Sequence, residues 1–420
     1  MNKLYKITAA AMAAVLGLSL AACGGNNDGG KDDGDKEKPP VEKLWSDEIE
    51  SVEWLNYVTG PNSPGKTDEY AVGGTDLGFP IYNSTNNKMH IAFGDTFMDA
   101  ASQSGLWRSN VLAYTDDYDL SDGIEIKGFK TGGSNAATVI IDGWHMDEYE
   151  MTKIPTGGVE VNGVLYMYYF SKYSWNGPAV TSMNYGGCVK STDDGETWTR
   201  VNDLSWLDDS VPERKAHIEK LANEDINFKA TDSGVTMETH AGFSFTQIFP
   251  IDGKDGYVYI LGEGGYRHGG IRLGRVSYAN IEKFEEYEYF NGYDDSKAPI
   301  WLKGSAGLKT VEANRSAYII SDRCSEQSAM YNPYLKKWMV FYLNTSDKGI
   351  MYRTADNIYG PYSEAKVAVA YDFPFPDGLR SLYAGIVHEK WTEDNGKTFY
   401  IIISKWKPVY NSSLMKIVLK

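Results

Sequence analysis

Five times in this chain a polar turn is followed by a run dense in Tyr, Phe or Trp, and that recurrence restricts the fold more than any other feature. The aromatic runs are His90 to Phe97, Val164 to Phe170, Tyr257 to Gly262, Trp338 to Leu343 and Phe399 to Ser404. The turns ahead of them read NSTNNK, VNG, DGKDG, NPYLKK and TEDNGK. Their Asn, Asp, Ser and Gly residues bond the local backbone or accept positive φ. A strand enters each turn, and a third strand follows each aromatic run: Ser109 to Thr115, Gly187 to Ser191, Ile271 to Val276, Gly349 to Thr354 and Leu414 to Leu419. The copies lie about 60 to 90 residues apart because their loops differ. One such sheet cannot bury its own faces, so the units must stack on one another. Five stacked sheets predict an all-β fold, a five-bladed β-propeller over residues 45–420, with a β-sandwich as the competing architecture. The 30 tyrosines and 43 glycines favour the same class, Tyr on half-buried pleated surfaces and Gly in turns.

Outside the repeats the chain is easily divided. Residues 1–22 have a basic start at Lys3 and Lys6 and a short apolar run, Ile7 to Leu20, too short to span a bilayer as a mature helix. Leu20-Ala21-Ala22-Cys23 ends the run. The stretch from Gly24 to Lys43 has no aromatic residue and reads as a flexible acidic tether. One helix is expected, Pro212 to Asn223, in a long insertion between the second and third units. Ser191 to Trp198 (STDDGETW) matches an Asp-box turn, whose role is structural. Cys188 and Cys324 either pair or remain as buried free thiols. The net charge of −16 argues against nucleic acid as a partner.

The chemistry concentrates in Gly74 to Phe97 (GTDLGFPIYNSTNNKMHIAFGDTF), two strands around Asn83 to Asn87. Asp76 and Asp95 are almost equally far from the turn's centre, so in-register pairing brings both carboxylates to one end of a hairpin. Two held acids are what hydrolysis of a glycosidic bond needs. In a propeller the entering strands line a shared channel. Here they begin near Asp76, Gly157, Thr246, Glu326 and Tyr383, which adds Glu326 as a third acid from a distant unit. Arg108 and Asn110, after the hairpin, are candidates to pair with an aspartate or bond sugar hydroxyls. Gln247, Glu263, Tyr383 and His388 complete the substrate-binding candidates. No zinc spacing, nucleophile elbow, phosphate loop or dinucleotide fingerprint is present. No cofactor is required, while a channel calcium or sodium ion stays open because oxygen ligands leave little sequence trace.

Two resemblances add to this reading. LAAC resembles the lipobox of bacterial lipoproteins and implies cleavage before Cys23, lipidation of its sulfur and anchoring at a membrane surface of the cell envelope. TDLG (Thr75 to Gly78), GDTF (Gly94 to Phe97) and WRSNVLAYT (Trp107 to Thr115) resemble the domain of unknown function 4185, as do IPTGG, DGYVYILG, IRLGRV, NPYLKKW and SLMKIVL further on. That family is classed with glycoside hydrolase family 183. The resemblance implies a five-bladed propeller, endo-cleavage of D-arabinofuranose polymers such as mycobacterial arabinan, and acidic catalytic residues at Asp76 and Asp95. The third acid falls on Ser325-Glu326-Gln327-Ser328, where the family's preceding Gly is missing, and Glu263 is its fallback. A non-catalytic glycan-binding lipoprotein is the alternative function.

Overall fold

The computed structural model describes residues 43–178, 181–223, 238–346, 349–378 and 381–420. Residues 1–22, Cys23, nearly all of the stretch expected to be a tether and residues 224–237 of the insertion lie outside the described residues.

Five sheets, antiparallel except for the short parallel pairing of His240–Ala241 on Trp206 and Leu207 in the second, follow one another along the chain and form the blades of a propeller. Each begins with its innermost strand: Gly74–Asn83, Thr152–Val161, Gln247–Asp252, Cys324–Asn332 and Leu382–Glu393. The aromatic strands come second, at Lys88–Phe97, Val164–Lys172, Tyr257–Glu263, Lys337–Asn344 and Thr398–Lys405. Inner strands pack against neighbouring blades on both faces, so even their polar residues are enclosed. The first inner strand accordingly is buried at every position except Tyr82.

The fifth blade takes its outer strand from the start of the domain. Ile49–Tyr57 pairs antiparallel with Asn411–Leu419, from Ile49 opposite Leu419 to Tyr57 opposite Ser413, with register shifts between Ile49 and Ser51 and between Trp54 and Asn56. Chain start and chain end thus share one sheet, and the ring closes by backbone hydrogen bonds. The repeat pattern, read one unit at a time, contains no sign of this closure.

The expected helix is present as a short 3-10 turn, Pro212–Arg214, running into an α-helix, Lys215–Asn223. A second helix, Gly304–Ala313, corrects the expectation of a single one. Its two glycines lower its propensity, and packing of Leu308 and Val311 holds it instead. Gly307 passes so close to Leu302 that a β-carbon there would sit 2.5 Å from its carbonyl carbon. Cys188 and Cys324 are free and buried. The Asp-box turn is structural: Thr197 N and Ser191 Oγ donate to Asp193 Oδ1 at 2.9 and 2.7 Å, and Trp198 Nε1 donates to the Gly195 carbonyl at 3.1 Å. Asp194 in the same turn reaches across to Asn83 and His90 at 2.8 Å each, clasping the first two blades.

Candidate active site

The first hairpin has the strands and turn that its sequence predicts, with Gly74 opposite Phe97 and Asn83 opposite Lys88. Pairing slips between Thr75 and Leu77 and again before Phe79. Such a bulge re-aims the side chains beside it. Leu77 takes φ 62°, a strained value for a branched residue. Ser404 and Ser412 of the fifth blade hold that backbone, Ser404 Oγ accepting from Leu77 N at 2.7 Å and Ser412 Oγ donating to Leu77 O at 2.9 Å. The inner strands of blades two, four and five slip likewise, at Pro155/Gly157, Ser325/Ser328 and Tyr383/Gly385. Glu326 and Ala384 adopt φ 32° and 52° within these slips. Four of the five inner strands therefore bend where they enter the ring.

These bends surround a funnel with about 490 Å³ of empty space, part of it open to solvent. Every blade contributes a polar group to its lining: Asp76 and Asp95, then Thr156, Gln247, Glu326 with Gln327, and Tyr383. The hairpin thus brings Asp76 and Asp95 together, and the ring adds Glu326.

The three acids differ in environment. Asp76 is 9 % exposed and accepts from Tyr383 Oη at 2.9 Å and from Tyr410. Burial raises its pKa to about 6, the two tyrosine hydroxyls oppose the rise, and the charge of Glu326 adds to it. Asp95 accepts from Trp107 Nε1 at 2.9 Å and keeps part of its surface open to the funnel. Enclosure by protein, then the neighbouring Asp76, hold its pKa well above the carboxylate range. The glycine of GDTF is dictated by this packing, because a β-carbon on Gly94 would lie 2.3 Å from Asp76 Oδ1. Glu326 is ion-paired: Arg267 Nε donates to its Oε1 at 3.0 Å with Nη2 on the same oxygen, and Ser325 Oγ donates to Oε2 at 2.6 Å. A carboxylate held by a guanidinium is a poor proton donor, so Asp95 is better placed than Glu326 for that role.

Glu263 is 1 % exposed and does not line the funnel. It sits behind the wall, where Gly269 N donates to its Oε1 at 3.0 Å and the Arg267 and His268 amides also bond it. Gln247 Nε2 lies 3.4 Å from its Oε2. Burial raises its pKa to about 8 against those amides. The loop that it anchors carries Tyr266 and Arg267, both at positive φ, onto the funnel. Lys172 Nζ stands 3.4 Å from the Tyr266 ring centre, a buried cation–π contact that supports the loop from blade two.

Besides Glu263, three candidates are displaced from the site. Arg108 does not pair with either aspartate in the hairpin; it is buried and donates to the Ala137 and Ala71 carbonyls at 3.2 and 2.6 Å. Desolvation lowers its pKa to about 10. Asn110 is a loop tie, donating to the Ile141 and Lys153 carbonyls and accepting from Ile140 N and Ile141 N at 2.9 Å each. His388 lies down its strand from Tyr383, at the other end of the ring beside Tyr82 and Trp391, and accepts from Lys390 N at 3.1 Å. Its burial lowers its pKa to about 4. Arg267, Tyr266, Trp175 and Tyr410 belong to the site or its support and carried no repeat or motif signal; the paired glycines around Tyr266-Arg267-His268 were the one hint of a tight loop. Among the described residues, Asp203, Glu238 and His240 are the grouping with metal-ligand spacing, on blade two's edge away from the funnel.

Bent inner strands closing on buried, unequal carboxylates define a five-bladed propeller with a polar funnel at one mouth of the ring. The chain belongs to the DUF4185 family (Domain of unknown function), whose model matches residues 62–416. No curated protein matches it. Among solved structures it is similar in fold to a Bacteroides ovatus ATCC 8483 protein provisionally assigned as a hydrolase, at 9% identity and TM-score 0.51, over 82% of this chain and 86% of that one. More distant likenesses are the RS223 β-xylosidase (14% identity, TM-score 0.44, 89% and 96% covered) and Zg3597, a family 117 glycoside hydrolase from Zobellia galactanivorans (12%, 0.43, 89% and 91%).

Proposed function

We propose that this protein is an exported, lipid-anchored glycoside hydrolase that cleaves a furanoside polysaccharide, an endo-D-arabinofuranase acting on mycobacterial-type D-arabinan. The observation that carries the hydrolase reading is the acid pair: Asp76 and Asp95 share one funnel but have unlike surroundings. Pairs of carboxyl groups whose environments separate their pKa values divide acid and base roles. Asp95, held protonated, gives its proton to the leaving glycosidic oxygen. Asp76, held by two tyrosine hydroxyls, takes a proton from the water that attacks the anomeric carbon. The C–O bond to the leaving sugar breaks as the water oxygen bonds to that carbon. Glu326, paired with Arg267, adds a smaller charge effect to the titration of Asp76, which burial dominates. The arabinan specificity and the anchor rest on the resemblances of TDLG, GDTF, WRSNVLAYT and LAAC to their families.

The test is release of oligosaccharides from purified mycobacterial arabinogalactan. Asp76→Asn and Asp95→Asn should each lower the rate by about 10²–10⁴-fold with folding intact. Full activity in either variant removes that acid from the mechanism. Binding of the polymer by wild type without any product would replace the enzyme with a glycan-binding lipoprotein.

A further inference from the structure

Four residues that line the funnel each hold a buried oxygen with no hydrogen-bond partner: Asp76 Oδ1, Thr156 Oγ1, Gln247 Oε1 and Gln327 Oε1. They come from the inner strands of four different blades. Buried polar atoms are nearly always paired, so a cluster of exceptions in one cavity points to a partner that arrives from outside. The amide of Gln327 cannot simply be turned round. Its Nε2 donates to two backbone carbonyls, Gln247 O at 3.3 Å and Leu261 O at 3.0 Å, which can only accept. Its oxygen therefore faces the remaining side and needs a donor.

The partner must be rich in donors and carry no negative charge, since carbonyl and carboxylate oxygens would repel an anion. A hard cation would look for six to eight oxygens and several charges, whereas the orphaned oxygens include one carboxylate, and the funnel's other two acids are already engaged, Glu326 by Arg267 and Ser325 and Asp95 by Trp107. Leu77, Phe170 and Phe249 line the same space and suit the C–H face of a ring. We infer that Thr156, Gln247 and Gln327 form a sugar subsite that recognises a neutral polyhydroxylated ring by accepting its hydroxyl hydrogens. Blades two to four thereby select the sugar while blade one supplies the acids. This subsite rests on the glycan reading above, but its test does not depend on turnover.

The experiment titrates the full chain with D-arabinose, L-arabinose, D-xylose and D-galactose, read by tryptophan fluorescence because Trp175 lines the funnel. A parallel titration uses calcium chloride. Thr156→Val keeps the side-chain shape and removes only the unpaired hydroxyl, and Gln327→Met removes the amide. At least one sugar should bind wild type, and each variant should weaken it by about 5- to 10-fold, as loss of one neutral hydrogen bond does. Thr156→Val carries the test if Gln327→Met fails to fold. Unchanged sugar affinity in Thr156→Val, no sugar binding by wild type, or calcium binding in place of sugar would each overturn the subsite. Sugar binding without arabinogalactan cleavage would keep it and remove the hydrolase.

Discussion

Glu263 makes the pH dependence of stability calculable. Its carboxyl is buried behind the funnel wall, with a pKa of about 8 in the folded chain and an ordinary value near 4.5 when unfolded. Between those values the folded state holds one proton more than the unfolded state, so stability falls as pH rises. The benefit of the bound proton is complete below about 4.5 and gone above about 8. Linkage over that interval corresponds to roughly 3–6 kcal/mol, taken as an order of magnitude. Glu263→Gln keeps the volume and one amide acceptor but has no proton to lose. Its stability relative to wild type should rise by several kcal/mol between pH 5 and pH 8.5. Asp76 also sheds its proton in this window, but it does so in both proteins and cancels in the difference. The assay is equilibrium urea unfolding of both proteins at the two pH values, followed by tryptophan fluorescence and circular dichroism together. A relative change below about 1 kcal/mol, or a variant that loses ground as pH rises, would refute the claim that burial outweighs the three amides around this carboxyl.

Two further outcomes are expected. Tyr383→Phe removes the hydroxyl that donates to Asp76 Oδ2 at 2.9 Å; loss of a donor to the charged form raises the pKa of Asp76, so the acid limb of kcat/KM against pH should move upward from about 6 by a few tenths to about one pH unit. An unmoved limb would mean that Asp76 does not set it. Cys23→Ser should abolish incorporation of a labelled fatty acid and release the protein from membranes; labelling that persists in the variant would put the lipid elsewhere.

Much of the fold was legible because its unit repeats within the chain. A blade's second strand is sandwiched between strands and between blades, so it must be aromatic or aliphatic along its length, and that density recurs wherever the packing does. The features that did not repeat were the ones missed. Ile49–Tyr57 closes the ring through a partner at the far end of the chain, and alternation within one strand cannot name a partner. The helix Gly304–Ala313 has glycines where helix formers would be expected and is held by tertiary contacts alone. Arg108 and Asn110 look from sequence like exposed polar residues after a hairpin. Both instead spend their donors on backbone carbonyls, Arg108 on those of Ala71 and Ala137, and Asn110 on those of Ile141 and of Lys153 in the inner strand of blade two. A polar residue that satisfies buried backbone and one that meets a ligand leave the same letter in the sequence.

The acids escaped that ambiguity because hairpin register is a geometric constraint, and it placed Asp76 beside Asp95 before any family was considered. What register could not supply is the difference between them. That difference comes from elsewhere in the ring: Tyr383 and Tyr410 of the fifth blade on Asp76, Trp107 on Asp95, and Glu326 with Arg267 from across the funnel. The bent entrances of the inner strands make this convergence possible. A straight strand would alternate its side chains between two neighbouring blades and present few to the axis. Non-glycine residues at positive φ in three of those bends, Leu77, Glu326 and Ala384, cost about 1–2 kcal/mol each. Such strain persists only where surrounding structure holds it, as Ser404 and Ser412 hold Leu77. The turns around the ring's other end also hold non-glycine residues at positive φ, among them Asn87, Asn162, Lys254, Lys336 and Asn395, as tight turns do; the three at the funnel differ in lying within inner strands, where each marks a bend that turns side chains toward the acids.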